Sequence, residues 1–371
     1  MIMNVLALSM LALVTQGKQV PVSDPGVQLS PYNWVREASY IQTPNPGAYL
    51  LLGFTGTSIQ VKIDNASFAG VPSNQYPLVR YSIDNGPGTM VQLRSGSYEL
   101  ECGKGLKPGN HTLLLQYVSG YVFLDFWSPV NVVRVTGFSL DADASTVTAA
   151  SPFSASENTR YALFLGDSIT NGDDDTANFK DGITNSVETQ DATIGYPSVV
   201  AAATKSEYGV VAYGGASWDR TAADGHTPGL KTFWSMIDKT HSRLVNGKFS
   251  PIPDDIYVNM GENRSANPDD VVKLMSDLRE ASGPNTNYFI IVPFSGRSRE
   301  SLVRGFILGA EYIGRRTGTN PHLIDLGDNP YLKSQGPTLF SVDGQHPLAA
   351  LHGQLGAQIV EARAKALAKK N

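Results

Sequence analysis

A hydroxyl, an imidazole and a carboxylate occur in this chain at positions from which they could act together. Ser168, in FLGDSITNG, follows the apolar run Tyr161 to Leu165 after only Gly166 and Asp167, so it sits where a buried strand ends. Far downstream, DGQHP carries Asp343 and His346 in one short loop, with Pro347 suited to a first helical turn. A serine hydroxyl is a poor nucleophile until a base takes its proton, and the base must be oriented by a third group. Asp343 can reach one ring nitrogen of His346 and leave the other for Ser168. Each piece alone is ordinary: Ser168 or Asp167 can simply cap the next helix, and Asp343 and His346 can belong to a surface turn.

Acyl transfer also needs donors aimed at the oxyanion that develops on the carbonyl oxygen. YGGASWD (213 to 219) supplies glycine amides that a substrate can approach closely, and VNMGENR (258 to 264) supplies Gly261 and the side-chain amide of Asn263. Trp218, close behind the glycines, is a candidate for stacking on a sugar ring or for packing in the core or rim.

These residues need a frame that brings distant loops together. After Thr159 the pattern alternates strand, loop and helix, with strands expected at Tyr161 to Leu165, Gly209 to Tyr213, Ile256 to Met260, Tyr288 to Pro293 and His322 to Leu326. NPDDVVKLMSDLREAS (267 to 282) places Val271, Leu274, Met275 and Leu278 on one helical face behind an Asn267 cap. Leu351, Leu355, Ile359 and Ala362 repeat that spacing near the C-terminus. This predicts an α/β unit with a five-stranded, doubly wound parallel sheet, whose ligands bind at the carboxyl ends of the strands. Ser168, the glycine pair and Asn263 all fall at such ends.

The preceding half reads differently. SIQVKID (58 to 64), LVRYSID (78 to 84), HTLLLQYV (111 to 118) and NVVRVTGFSLD (131 to 141) are short β-type runs, with Asp84-Asn85-Gly86 and Pro108-Gly109-Asn110 as turn signals between them. An all-β antiparallel sandwich is expected over 20–148, a small, polar linker over 149–158, and the α/β unit over 159–371.

In order, GDSIT, GGAS, GEN and DGQHP resemble the four blocks of the SGNH (GDSL-like) hydrolase superfamily. The resemblance implies a flavodoxin-like SGNH fold with Ser168 as nucleophile, His346 as general base and then acid, and Asp343 as its orienter. It also implies an oxyanion hole from the Ser168 and Gly215 amides, with Gly214 as the alternative to Gly215, and the Asn263 side chain. Asp167 and Trp218 are then candidate substrate contacts. Arg264 departs from the Asp that usually follows the Asn. The first half is similar to the jelly-roll domain of carbohydrate esterase family 2, which points to acetyl esters of polysaccharides or oligosaccharides, of the hemicellulose or acetylxylan type. The runner-up is a short-chain esterase, lipase or thioesterase on the same triad, and behind it a carbohydrate-binding protein whose catalytic site is retired. A G-x-S-x-G elbow does not occur in the sequence.

The remaining expectations are more general. DDDTANFKDGITNSVETQD (173 to 191) is expected to be a solvated loop in preference to a substrate lid. A net charge of −5 with signs interspersed gives no basic stripe, so nucleic acid and membrane are excluded as partners. The six histidines form no HExxH and Cys102 is the sole cysteine, so no metal, cofactor or disulfide is expected. Residues 1–17 carry an apolar run too short to span a bilayer, followed by small residues, and are expected to be a cleavable signal peptide of a secreted or periplasmic protein. Asn65 and Asn110 would be glycosylation candidates in a eukaryotic host.

Overall fold

In a strand covered on both faces, every side chain must be apolar, and YALFL meets that requirement. The computed structural model describes residues 17–128, 130–154, 159–177, 182–295, 298–317, 321–326, 339–341 and 343–368, with backbone only for 310–317. The expected signal peptide lies, apart from Gly17, outside the described residues. Arg160–Gly166 forms the centre of a parallel sheet, flanked by Ser206–Ala212 and Asp255–Asn259, with Asn287–Ile291 and His322–Ile324 beyond. Counted in chain order from the first of these strands, the order across the sheet is 2-1-3-4-5, the flavodoxin-like arrangement with its switch point beside the first strand.

Side chains alternate between two cores. Leu163, Leu165, Ile256 and Val258 face one side, where the helix Pro268–Ser282 contributes Val271, Leu274, Met275 and Leu278. Ala162, Phe164 and Tyr257 face the other, against Tyr196 and Val200 of Tyr196–Thr204 and Leu351, Leu355 and Ile359 of Ala349–Ala368. The Asn267 side chain caps its helix by accepting from the Asp269 amide at 3.1 Å, as its position before the apolar stripe predicts.

The first half is an antiparallel network of ten strands around its own core. Two strands dominate it, Tyr49–Asn65 and Gly96–Ser119. The first half of Tyr49–Asn65 pairs with Val27–Leu29 and Thr146–Val147, and the second half with Val133–Leu140. The change of partner occurs around Gly56, where φ is +113°, and lets one sheet fold over its apolar side chains. Asp84 and Asn85 turn the chain with φ of +54° and +58°, closed by Gly86 N donating to Ile83 O. The other turn signal is a correction: Pro108-Gly109-Asn110 lies inside Gly96–Ser119, opposite the Gly56 irregularity, and the strand continues through it. The lone Cys102 is buried in this half.

The two halves share packing. Tyr49 and Leu51 enter one core of the parallel sheet, and Tyr32 and Phe126 enter the other. Among the described residues no helix is long and apolar enough to cross a membrane.

Candidate active site

Gly166 ends the central strand where only glycine fits, because a Cβ there would lie 1.9 Å from Thr170 Oγ1 and 2.9 Å from Asn259 O. The next residue, Asp167, caps the single-turn helix Ser168–Asn171 by accepting from Ile169 N, and Gly172 ends it with φ +73°. Ser168 is therefore the first residue of a helix, with an amide that has no intrahelical partner. It is 4% exposed.

The histidine loop is folded on itself. Ser341 N donates to His346 O and Gly344 N to Ser341 O, so Asp343 sits at the bend. Its Oδ1 accepts from Gln345 N, His346 N and Ser341 Oγ, and its Oδ2 lies 2.5 Å from His346 Nδ1. A carboxylate against Nδ1 makes that nitrogen the donor and leaves Nε2 as the basic atom. Among the described residues Nε2 is buried and makes no hydrogen bond, so it holds no bond to Ser168. Burial lowers the His346 pKa, but the Asp343 bond and the charges of Asp173, Asp343 and Asp174 outweigh it and raise the value to about 9. For Asp343, burial acts upward, yet the bonds from His346 and Ser341 hold it well below the usual carboxylate range.

The donor loops join the same cluster. Gly214 is buried, and a Cβ on it would lie 2.3 Å from Val122 and 2.5 Å from Asp173 Oδ2. Gly215 is half-buried with φ +72° and its amide makes no backbone hydrogen bond among the described residues. Asn263 Nδ2 donates to Ala216 O at 2.9 Å, which ties GEN to GGAS and leaves the second proton of that amide unused by this bond. Arg264 points outward and pairs loosely with Asp219 at 3.5 Å.

No family model matches the chain, and no curated protein matches it. Solved structures do. A family two carbohydrate esterase from Clostridium thermocellum, in complex with cellohexaose, superposes with TM-score 0.72 at 16% identity, covering 92% of this chain and 99% of that one. One from Cellvibrio japonicus gives 0.72 at 16% identity over 94% and 97%. An acetyl xylan esterase from the rumen bacterium Butyrivibrio proteoclasticus gives 0.69 at 15% identity over 95% and 98%. The chain has the fold of a family two carbohydrate esterase. Both halves of that fold are present, since the match runs over nearly the full length of each relative.

Within this esterase fold, three expectations need correction. Trp218 is 2% exposed and donates its indole N–H to Met260 O, so its face is spent in the core and not open to a sugar. Asp167 is 1% exposed and occupied as a cap; burial, then the charge of Glu262, raises its pKa to about 7, and a substrate has no surface of it to touch. The segment 173–191 is not a solvated loop at its start: Asp173, Asp174 and Asp175 are 2%, 0% and 1% exposed. Positions 178–181 of that segment lie outside the described residues.

These three acids are what sequence reasoning missed. Asp173 Oδ1 accepts from Asn171 Nδ2, and Asp173 N donates to Ser168 O. The Asp175 carbonyl accepts from Ala349 N at the start of the final helix, and Asp174 Oδ2 lies 3.9 Å from His346 Nδ1. The available signal was Gly172, which stops the helix and keeps the next residues beside Ser168. Atoms of Asp174, Asp343 and His346 lie within 4.8 Å of one another, as ligands of a cation would. Asp343 and His346, however, are in hydrogen-bond contact at 2.5 Å, closer than the roughly 3 Å that separates ligands around a zinc ion. Two clefts of about 680 and 750 Å³ lie elsewhere, on the sandwich and at the junction of the halves, and include none of these residues.

Proposed function

We propose that this chain is an exported serine esterase that removes acetyl, or similarly short, acyl groups from carbohydrate. The observation that carries the reading is the His346 ring, with Nδ1 held by Asp343 and Nε2 buried and, among the described residues, unpartnered in the loop cluster that contains Ser168. His346 Nε2 takes the Ser168 proton as Oγ bonds the acyl carbon, and the carbonyl electrons move onto oxygen. The amides of Ser168 and Gly215 and the Asn263 side chain receive that oxyanion. Gly215, half-buried where Gly214 is buried, suits the role better than Gly214. His346 then returns the proton to the departing sugar oxygen, and water repeats the sequence on the acyl-enzyme. Asp343 keeps the tautomer throughout.

The carbohydrate part of the reading draws on the structural relatives, which are carbohydrate esterases by their own descriptions. Acetate release from acetylated xylan, glucomannan and chitooligosaccharide, compared with aryl esters of increasing acyl length, tests it. A carbohydrate deacetylase loses rate steeply beyond acetyl. Equal turnover of long acyl chains would favour the lipase reading, and no turnover with intact labelling of Ser168 by an organophosphonate would leave the substrate class wrong but the nucleophile right.

A further inference from the structure

Asp174 is arranged to present one oxygen. Its φ is +56°, a left-handed conformation that a residue with a Cβ adopts only when its surroundings impose it. Oδ1 accepts from Asn185 N at 2.6 Å and from Thr189 Oγ1 at 2.7 Å. Oδ2 is fully buried, has no hydrogen-bond partner among the described residues, and lies 3.9 Å from His346 Nδ1, the nitrogen that Asp343 already holds. A buried carboxylate oxygen without a donor is costly, so its placement needs external support. The sandwich supplies it. Arg80 reaches across to Asp191 and Thr193, each at 2.5 Å, Ser119 Oγ donates to Val187 O, and Ala192 N donates to Val118 O. Asp191 N in turn donates to Asp175 Oδ1 and Gly172 O.

We propose that Asp174 is a positioning residue for His346: a second, buried carboxylate that faces Nδ1 together with Asp343 and balances the charge the ring acquires when Nε2 takes the Ser168 proton. This rests on the serine-esterase reading above. No proton passes to Asp174. Its carboxylate acts through space on the imidazolium, while Asp343 accepts the orienting hydrogen bond from Nδ1. The other ionisable groups around the ring are Asp173 from the nucleophile loop, Asp167 from the strand end and His352 from the final helix. For Asp174 itself, burial raises the pKa, while the Thr189 and Asn185 bonds and the His346 charge act the other way, so it is most readily ionised when His346 is protonated.

The test is the pH dependence of kcat/KM on a small aryl acetate. Asp174→Asn keeps an oxygen for Asn185 and Thr189 and removes the charge. Its acid limb should move down by roughly half to one pH unit, as removal of a nearby charge moves a pKa, with kcat falling more than KM changes. Asp175→Asn, an equally buried neighbour without contact to the ring, should leave the limb in place. If Asp174→Asn does not fold, the Asp173→Asn/Asp343→Asn double variant decides: with Asp174 the remaining carboxylate of the three that raise the ring's pKa, its limb should remain above ~6.5, the ordinary histidine value. An unmoved limb in Asp174→Asn, or one at or below that value in the double variant, overturns the proposal. An active Ser168→Ala protein would instead overturn the esterase site on which it rests.

Discussion

Acidic side chains gather in two places in this molecule, and the places treat them oppositely. On the sandwich, Glu99, Glu101, Asp141 and Asp143 line an open cleft. There the Asp141 pKa is lowered, chiefly by the Ser58 hydroxyl and, against the opposing effect of burial, by Thr57 and the Ser58 amide. Beside Ser168, burial raises Asp173 to about 7 and places Asp175 well above the ordinary value. The difference lies in water and donors, not in the number of acids. An acid that keeps solvent and collects donors stabilises a turn, whereas one that loses solvent is held at a cost and becomes a source of field for its neighbours.

That contrast can be broken first at the level of rate. Ser168→Ala should reduce aryl acetate turnover to background, while Glu101→Gln on the sandwich cleft should leave it unchanged; comparable losses in both would end the distinction. Asn263→Ala should cost ~10²-fold in kcat if its free amide proton serves the oxyanion, and an unaltered kcat would remove it from the site.

A thermal-denaturation series against pH sharpens the contrast further. The Asp173 pKa is raised in the folded state, so the native protein is progressively penalised as pH rises from the unfolded value near 4 through about 7. Asp173→Asn should therefore raise Tm at pH 8 and leave it nearly unchanged at pH 4. The smallest effect is expected at Asp141, whose lowered pKa gives a contribution present above the unfolded value and lost as pH falls through the folded one. Asp141→Asn should lower Tm slightly at neutral pH and converge with wild type in acid. Matching signs for the two variants would refute the assignment of opposite environments.

Much of this arrangement was legible before any coordinates. Continuous apolar runs such as YALFL mark strands buried on both faces, and the stripe of Val271, Leu274, Met275 and Leu278 marks the helix that covers them. Because ligands in a parallel sheet gather at strand ends, Ser168, Gly215 and Asn263 could be grouped without knowing the path between them. Burial of polar side chains was not legible. Asp173-Asp174-Asp175 has the composition of a surface loop, and only the donors of Asn171, Thr189, Asn185 and Asp191 permit it inside. Apart from Asn171, those donors come from chain 11 to 16 residues further along that folds back against the acids. Trp218 failed for the converse reason: proximity to Gly215 in sequence suggested the site, while the Met260 carbonyl gave its indole N–H a partner in the core. Pro108-Gly109-Asn110 has the chemistry of a reversal, but the pairing of Gly56 with Gly109 carries the strand past it.

Arg80 has a consequence for how the chain can be divided. It belongs to the sandwich, yet its guanidinium grips Asp191 and Thr193 in the α/β half. A fragment beginning at the α/β unit would keep Ser168, Asp343 and His346 and lose Arg80, Ser119 and Val118, outside supports of the segment that carries Asp174. The sandwich is thus a scaffold for the segment beside His346 as much as a neighbour to it, and the α/β half is not a portable cassette.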